Sequence, residues 1–378
     1  MELEAFLEPV NNSILAEASR QLPATLARSV LPIIPGVTDI SDAEILLVGV
    51  YAQGEESHWS PNEVRVSLYK LFTPRGVSRI ADLGNVSSKL TAIEQANALE
   101  SIADFCAKQN KTLIVFSPDQ NHTYHLYSGL FKHRSNAGIT IIDSTIDMGS
   151  IVGEKPAPQF ISRILEDPAI EPKFMSVVGL QHYLTNPLDA ELASKMYVEM
   201  MRLGELRTDI KAAEPLIRDA NLVSLDMAAI RYADNPDMRN VGPNGLYAEE
   251  ACMLSRYAGF ADKVDLFSVF GDICHHSAQQ ISTQLTAQLI WHFLDGYANR
   301  KQENPTLSTK KFQKFIVKLG KDDEELIFYK SKQTDRWWME VVHDKEKKNK
   351  LLISCRYDDY QQACQQEIPY RWLWYYKK

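Results

Sequence analysis

The sequence has few cysteines and no apolar stretch of the length that a membrane span needs. Its five cysteines are odd in number, scattered and without a CxxC pair (Cys106, Cys252, Cys274, Cys355 and Cys364). Because such a set provides no disulfide framework, we expect a reducing compartment. No apolar run approaches the ~20 residues that cross a bilayer. The first residues also lack the basic segment and apolar core of a secretory signal. We therefore expect a cytoplasmic protein.

Charge is unevenly distributed along the 378 residues. The net charge is −8, but residues 301–378 hold 17 basic and 12 acidic residues, which leaves the first 300 residues at −13. The same final stretch contains four of the six tryptophans, Trp337, Trp338, Trp372 and Trp374. This shift predicts a boundary near the polar segment 299–309. We expect a body over residues 1–300, with an N-terminal helical segment over 1–40, and a basic, aromatic-rich module over 305–378.

Short apolar runs alternate with helical segments through the body. The runs lie at 44–51, 79–83, 112–116, 138–143, 174–180, 222–226 and 264–269, and the main helical segments at 62–71, 91–109, 190–204, 249–258 and 281–297. This alternation predicts an α/β fold with a mainly parallel sheet and helices on both faces. After residue 310 the runs mix apolar and charged residues. That pattern predicts a small α+β module, with an antiparallel sheet and a short helix at 357–366.

Acidic residues follow three of the predicted strands. Asp143 and Asp147 come after one run, Asp226 ends another, and Asp119 follows a third. In a parallel sheet the ligand site lies at the carboxyl ends of the strands. Carboxylates that meet there are the ligands that a hard divalent cation such as Mn²⁺ or Mg²⁺ requires. The sequence therefore predicts a candidate metal centre at this edge.

The order and spacing of these segments between residues 44 and 297 resemble the arginase–agmatinase–formimidoylglutamase (ureohydrolase) family. Residues 81–86 (ADLGNV) are similar to the family's DLGD segment and 61–65 (PNEVR) to the start of its first helix. Residues 224–226 (SLD) are similar to its SxDxD motif, and 244–250 (NGLYAEE) to the glycine-rich segment and helix beyond it. The resemblance implies a three-layer arginase-like fold and assembly into trimers or hexamers. It also implies a binuclear Mn²⁺ cluster whose hydroxide attacks a guanidino or formimino carbon.

Three of the six metal ligands that the resemblance implies are replaced. Asp143, Asp147 and Asp226 remain, Gln120 and Thr145 stand where the family has histidines, Ala228 stands where it has an aspartate, and Gly271 lies near the position of its substrate-facing glutamate. Two Mn²⁺ ions need roughly five or six ligands each. Our leading hypothesis is therefore a pseudoenzyme that has lost binuclear manganese hydrolysis and acts in assembly or partner binding, with no cofactor expected.

Two other hypotheses stay open. One is a divergent metal-dependent C–N hydrolase, formimidoylglutamase- or agmatinase-like, that uses Mn²⁺ or Mg²⁺ at a single weak site formed by the three aspartates. The other is a scaffold whose function lies in residues 305–378. The aspartates could also be vestigial and bonded to backbone amides or basic side chains. We expect a homo-oligomer with a protein partner at the module, and neither a nucleic-acid nor a membrane partner.

Three smaller groups of residues carry open alternatives. His122 and His125 could bind a metal with Asp119 and Asn121, or this stretch could simply begin a surface helix. In residues 272–276 (DICHH), Cys274 beside a histidine is a candidate nucleophile or metal ligand, or a packed cysteine. The four tryptophans of the final stretch could contact a partner or form the core of a module docked on the acidic body.

Overall fold

The computed structural model describes residues 5–34, 38–54, 57–77, 79–149, 159–275, 277, 279–303, 305, 309–320, 324–342 and 350–377. Within these residues the chain forms one ten-stranded sheet with helices on both faces and a second, four-stranded sheet close to the C-terminal end. No helix within these ranges is long and apolar enough to cross a membrane.

The ten strands of the large sheet are β1 (Leu7–Glu8), β2 (Val30–Pro32), β3 (Ile45–Val50), β4 (Ile80–Val86), β5 (Thr112–Ser117), β6 (Gly138–Ile142), β7 (Phe174–Leu180), β8 (Glu199–Arg202), β9 (Leu222–Asp226) and β10 (Leu266–Phe270). Their order is β1-β4-β3-β5-β10-β9-β6-β7-β8, and β2 pairs with β4 beside this path. Among the described residues the pairings are parallel, apart from that of β1 with β4. The prediction of a mainly parallel sheet is confirmed.

Helices of the body cover both faces of this sheet: α1 (Asn12–Ser19), α2 (Leu26–Ser29), α3 (Pro61–Tyr69), α4 (Ala92–Lys108), α5 (His122–Phe131), α6 (Phe160–Glu166), α7 (Pro187–Lys195), α8 (Leu203–Thr208), α9 (Glu214–Arg218), α10 (Ala248–Phe260) and α11 (Ile281–Ala298). Successive side chains of a strand point to opposite faces. In β3, Ile45 and Leu47 pack into one apolar cluster, and Leu46 and Val48 into the other. Burial on both faces explains why the strands read as unbroken apolar runs.

One segment of the body differs from its prediction. The sequence predicts a single helix over 190–204, but α7 ends at Lys195 and is followed by β8 and then by α8. Tyr197 adopts a φ of 59°, which ends the helix. The residues that follow, Glu199–Arg202, then pair with β7 as the edge strand of the sheet. Tertiary pairing therefore overrides the helical propensity of this stretch.

The C-terminal module has the predicted antiparallel sheet and short helix, and a second helix that was not predicted. It comprises β11 (Phe312–Leu319), β12 (Glu324–Ser331), β13 (Trp337–Val342), β14 (Lys350–Cys355), α12 (Tyr357–Cys364) and α13 (Tyr370–Lys377). The four strands pair in sequence order. Their inward side chains form a separate apolar cluster, which includes Phe328, Met339 and Ile353. One member of this cluster, Phe174, comes from the body.

Buried polar contacts join the module to the body. Arg371 of α13 lies 3.0 Å from Glu199 and 3.1 Å from Asp219, two acidic side chains of the body. The backbone N–H and hydroxyl of Ser354 also donate to Asp219. In the opposite direction, Arg218 of the body donates to the carbonyl oxygens of Trp337 and Cys355. We name the group formed by Asp219, Glu199, Ser354 and Arg371 the junction network.

A second buried network fixes α3 to β4. Arg65 is fully buried and forms two hydrogen bonds with the Asp82 carboxylate, at 2.8 and 2.9 Å. It also donates to Asn85 and to the carbonyl oxygen of Gly84, and Tyr69 donates to Asp82 at 2.7 Å. These residues belong to the two segments that resemble the ureohydrolases at 61–65 and 81–86. Their role in this structure is to hold a helix against the sheet.

Removing the buried guanidinium by Arg65→Met should lower the free energy of unfolding by about 3–5 kcal/mol, because the Asp82 carboxylate would stay buried without its partner. The control is Arg79→Met, which removes an exposed guanidinium paired with Glu44 and should cost less than about 1 kcal/mol. Urea denaturation followed by circular dichroism measures both variants. Equal, small losses in the two variants would contradict the structural role of Arg65.

Candidate functional site

Adjacent strands of the large sheet bring the three aspartates together. Parallel pairing sets Ile142 of β6 beside Leu225 of β9. The next residues, Asp143 and Asp226, therefore leave the sheet side by side, and Asp147 follows in the loop after β6. Gln120 reaches the same group from the turn between β5 and α5.

The side-chain amide of Gln120 occupies the centre of the three carboxylates. Its nitrogen lies 3.0 Å from Asp143 Oδ2, 3.1 Å from Asp147 Oδ2 and 3.3 Å from Asp226 Oδ2, so that its two N–H groups are shared among the three acids, and its oxygen accepts from Ser224 Oγ at 3.2 Å. Hydrogen bonding alone assigns this orientation, because without a cation between these groups the reverse would set a carbonyl oxygen against three carboxylate oxygens. We name Gln120, Asp143, Asp147 and Asp226 the acid–amide cluster.

The second oxygen of each carboxylate has a local partner. Asp143 Oδ1 accepts from the backbone N–H of Thr145 at 3.1 Å, and Asp226 Oδ1 accepts from the N–H of Ala228 at 2.7 Å. Asp147 Oδ1 accepts from the Thr145 hydroxyl, also at 3.1 Å. These contacts turn the three Oδ2 atoms toward one point. Thr145 and Ala228, which stand at expected ligand positions, thus orient carboxylates through a hydroxyl and backbone amides.

Burial raises the pKa of all three carboxyl groups. For Asp143, burial and the neighbouring charges of Asp226 and Asp147 raise the pKa well above its ordinary value. Burial raises the pKa of Asp226 to about 7, although the hydrogen bond from Ala228 opposes the change. Burial also raises the pKa of Asp147, against the hydrogen bond from Thr145. Because the three buried carboxylates repel one another, the cluster favours the binding of a proton or a cation.

The donor set does not fit a pair of manganese ions. Three carboxylates and one amide are too few for two ions that need roughly five or six ligands each. Among the described residues, no group of three or more His, Cys, Asp or Glu side chains is arranged to hold a metal ion.

Gly271, near the position of the family's substrate-facing glutamate, lies in a packed environment. A Cβ atom at this position would lie 2.8 Å from the sulfur of Met238 and 2.9 Å from Cβ of Met227. Both methionines are buried. A longer side chain could not be accommodated here without movement of its neighbours, so this position contributes packing and no functional group.

The histidines after β5 point in different directions. His122 is buried, and its Nδ1 lies 2.8 Å from the Ser117 hydroxyl, whereas Asp119 accepts from the backbone N–H of Asn121. His125 lies 3.3 Å from an Arg163 nitrogen. Burial lowers the pKa of both histidines. The structure thus places these residues at the start of α5, with separate partners, and does not bring them together around one point.

The segment 272–276 is divided between two contacts. Asp272 pairs with Arg239 at 2.7 Å. Cys274 lies 3.4 Å from Nδ1 of His275 and 3.5 Å from the carbonyl oxygen of Asp237. His276 lies outside the described residues. The described part of this segment is separate from the acid–amide cluster and holds the loop after β10 in place.

The tryptophans of the module fall into two pairs. Trp337 and Trp338 are buried, and Trp337 stacks on Tyr360 within the module. Trp372 and Trp374 of α13 are half-buried. The two residues of α13 therefore keep exposed surface, whereas Trp337 and Trp338 serve the packing of the module in this conformation.

Sequence reasoning missed the polar residues that support Gln120. Ser224 is buried in β9, where it donates to the Gln120 oxygen and lies 3.0 Å from the Thr123 hydroxyl. The available signal was a serine within an apolar strand, since a buried hydroxyl requires a partner. The role of Gln120 itself was also missed. The sequence placed Gln120 only at the position of a replaced ligand, whereas in the assigned orientation its N–H groups face the acids.

No protein-family profile and no curated protein matches the sequence, but solved structures match the fold. Formiminoglutamase from Trypanosoma cruzi with Mn2+2 is 17% identical over 70% of this chain and 97% of its own, with a TM-score of 0.63. Formimidoylglutamase from Bacillus subtilis is 14% identical over 71% and 94%, with a TM-score of 0.60. Agmatine ureohydrolase of Thermoplasma volcanium is 17% identical over 75% and 97%, with a TM-score of 0.59.

These matches confirm that the chain has the arginase-like, ureohydrolase fold. They contradict our expectation about cofactors. We had expected no cofactor, or Mn²⁺ or Mg²⁺ at a single weak site. Several structures of the Trypanosoma cruzi enzyme are named with Mn2+2, so the neighbours in fold point to manganese. This chain differs from those neighbours at the acid–amide cluster, because its donors do not fit a pair of manganese ions.

Replacing the central amide by Gln120→Leu should lower the free energy of unfolding by about 1–3 kcal/mol, because three buried carboxylates would lose their shared donor. The measurement is urea denaturation in the presence of a chelator, so that no added metal ion neutralises the acids. Gln284→Leu, at an exposed position of α11, is the matched control and should have little effect. A Gln120→Leu variant as stable as wild type would contradict the proposed role of the amide.

Proposed function

We propose that this ureohydrolase-fold chain has lost hydrolysis by a pair of manganese ions and acts through assembly or partner binding. The observation that carries the proposal is the amide of Gln120 at the point on which the Oδ2 atoms of Asp143, Asp147 and Asp226 converge. A neutral donor at that point stabilises the acids by hydrogen bonds. It supplies none of the charge that lowers the pKa of a bound water.

The chemistry of the other replaced positions supports the same proposal. Hydrolysis of an amidine requires a hydroxide at neutral pH and ligands that hold its metal ions. The methyl group of Ala228 binds no metal, and the hydroxyl of Thr145 is engaged with Asp147. Gly271 lacks the carboxylate that a substrate-facing residue would present. The cluster is therefore suited to hold β5, β6 and β9 together at their carboxyl ends.

A self-assembly role is supported by the outer surface of α13. This helix buries Arg371 and Tyr375 against the body. Two aromatic pairs flank the buried side: Tyr370 with Trp374, and Trp372 with Tyr376. Tyr370 and Tyr376 are 66% and 53% exposed, and exposed aromatics of this kind are enriched at interfaces. We propose that a second copy of this chain binds to this aromatic surface of α13. We also propose that the protein is cytoplasmic, which agrees with its free cysteines.

Wild-type protein equilibrated with Mn²⁺ is expected to hold fewer than two manganese ions per chain and to leave arginine, agmatine and formimidoylglutamate intact. The triple variant Gln120→His/Thr145→His/Ala228→Asp restores the ligand types at three positions and should bind more manganese than wild type. Mass spectrometry of the metal content and an assay for released urea or formamide give the two measurements. Two manganese ions in the wild type together with turnover of any of these substrates would overturn the proposal.

The second candidate is manganese-dependent hydrolysis of a C–N bond in a linear amidine or guanidine. It is favoured by the neighbours in fold, which include a formiminoglutamase named with Mn2+2 and an agmatine ureohydrolase. Under this hypothesis a cation would lie among the acids, and the amide of Gln120 would turn its carbonyl oxygen toward it. Asp226→Ala should then lower both the manganese content and the activity. Unchanged manganese content in that variant excludes this site.

Substitution of the exposed aromatics by Tyr370→Ser/Tyr376→Ser should weaken self-association of the chain by about tenfold or more, because each removes apolar area from the contact. Sedimentation velocity over a concentration series provides the measurement. The double variant Ile93→Ser/Tyr232→Ser removes comparably exposed apolar residues elsewhere on the surface and should not change the oligomeric state. A monomeric wild type, or equal loss in both variants, contradicts a contact through α13.

A further inference from the structure

A cleft of about 970 Å³ lies between the body and the module. The body contributes Arg134, Lys173 and Lys263, and the module contributes Lys350 from the start of β14. This volume is in the range of small-molecule sites. The cleft lies at the amino ends of the parallel strands, since Lys173 directly precedes β7. It is therefore at the opposite edge of the sheet from the acid–amide cluster.

The wall of this cleft carries positive charge and no lining carboxylate. Its residues include Arg134, Lys173, Lys263 and Lys350 but neither Asp nor Glu. The body as a whole has a net charge of −13 over residues 1–300. The acidic body therefore contributes three cations to one cavity, and the module adds a fourth. A concave site lined by one sign of charge concentrates ions of the opposite sign.

Carboxylates outside the lining pair with three of these cations. Arg134 pairs with Asp265 at 2.9 Å, and the two lysines Lys263 and Lys350 keep part of their surface open. Lys350 pairs with Glu340 at 2.9 Å, and its side chain remains 49% exposed. Lys263 lies 4.0 Å from Asp219, a long contact, and its side chain remains 41% exposed. Each ammonium has three donors, so both lysines can contact a second anion without giving up their present partners.

A second large cleft of the described structure differs in charge. It has a volume of about 870 Å³, and its lining includes Glu214, Asp335 and Asp358 beside its cations. Those carboxylates form ion pairs within the lining itself, as between Arg336 and Glu214 and between Lys330 and Asp335. An anion in that cleft would meet three carboxylates beside six cations, whereas the lining of the first cleft contains no carboxylate. The first cleft is therefore the better candidate for binding an anion.

We propose that the cleft lined by Arg134, Lys173, Lys263 and Lys350 binds a polyphosphate anion, either free or as part of a nucleotide. A chain of phosphates carries several charges spaced along its length, and can contact cations of both the body and the module at once. Ser135, an exposed residue of the lining, provides a neutral hydroxyl group. Bound in this position, the anion links the two parts of the chain.

The test is isothermal titration of the full-length protein with inorganic triphosphate and, separately, with ATP at about 50 mM salt, where charge screening is weak. Wild type is expected to bind triphosphate saturably with one site per chain. Lys263→Gln/Lys350→Gln should weaken the binding by about tenfold or more, because two charge-assisted contacts are lost. Lys89→Gln/Lys108→Gln, which removes two exposed lysines outside the cleft, should bind like wild type.

The ATP measurement distinguishes the source of the phosphate. Tighter binding of ATP than of triphosphate supports a nucleotide, and equal or weaker binding supports the free anion. Thermal unfolding checks that each variant is folded. Should Lys263→Gln disturb the contact with Asp219, the single variant Lys350→Gln at the exposed start of β14 gives the comparison. Absence of saturable binding to wild type, or an equal loss in the cleft and control variants, overturns the proposal.

Discussion

Three carboxylates at one edge of a parallel sheet repel one another, and the arrangement of the site follows from that repulsion. The parallel pairing of β6 with β9 fixes Asp143 beside Asp226, and burial prevents water from screening their charges. A shared positive or hydrogen-bonding partner is therefore required at the point between them. In this structure the N–H groups of Gln120 meet the requirement. The fold therefore brings the three carboxylates together, and the residue at position 120 decides how their repulsion is relieved.

Much of the fold could be predicted because its signals are local. The strands of the body, such as Phe174–Leu180, are unbroken apolar runs of the right length, and the turns between them are polar. The segment after Lys195 could not be predicted in the same way. Its apolar residues fit a helix as well as a strand, and only the free edge of β7 decides between them. Edge strands of this kind depend on contacts that are distant in sequence.

For the site, the positions of the residues could be predicted but the directions of their hydrogen bonds could not. Spacing after the strands was enough to identify Asp143, Asp147 and Asp226 as neighbours. That Gln120, Thr145 and Ala228 stand in place of metal ligands is implied by the resemblance and stays a prediction. The direction in which each group donates or accepts was not available from residue type. Whether Gln120 turns its oxygen or its nitrogen toward the acids depends on Ser224, two strands away from β5 in the sheet. Chemistry that depends on the orientation of an amide requires the assembled network.

The contact between the first residue of β7 and the last helix of the module has a mechanical consequence. Phe174, the first residue of β7, belongs to the apolar core of the module and packs against Tyr375 of α13 at 5.3 Å. The strand β7 in turn pairs with β6, which leads to Asp143. A continuous path of aromatic packing and strand pairing thus runs from the last helix to the acidic edge of the sheet. A load applied at the C-terminal helix, by a partner or by another copy, would therefore be borne by the strands under the site rather than absorbed by a flexible tether.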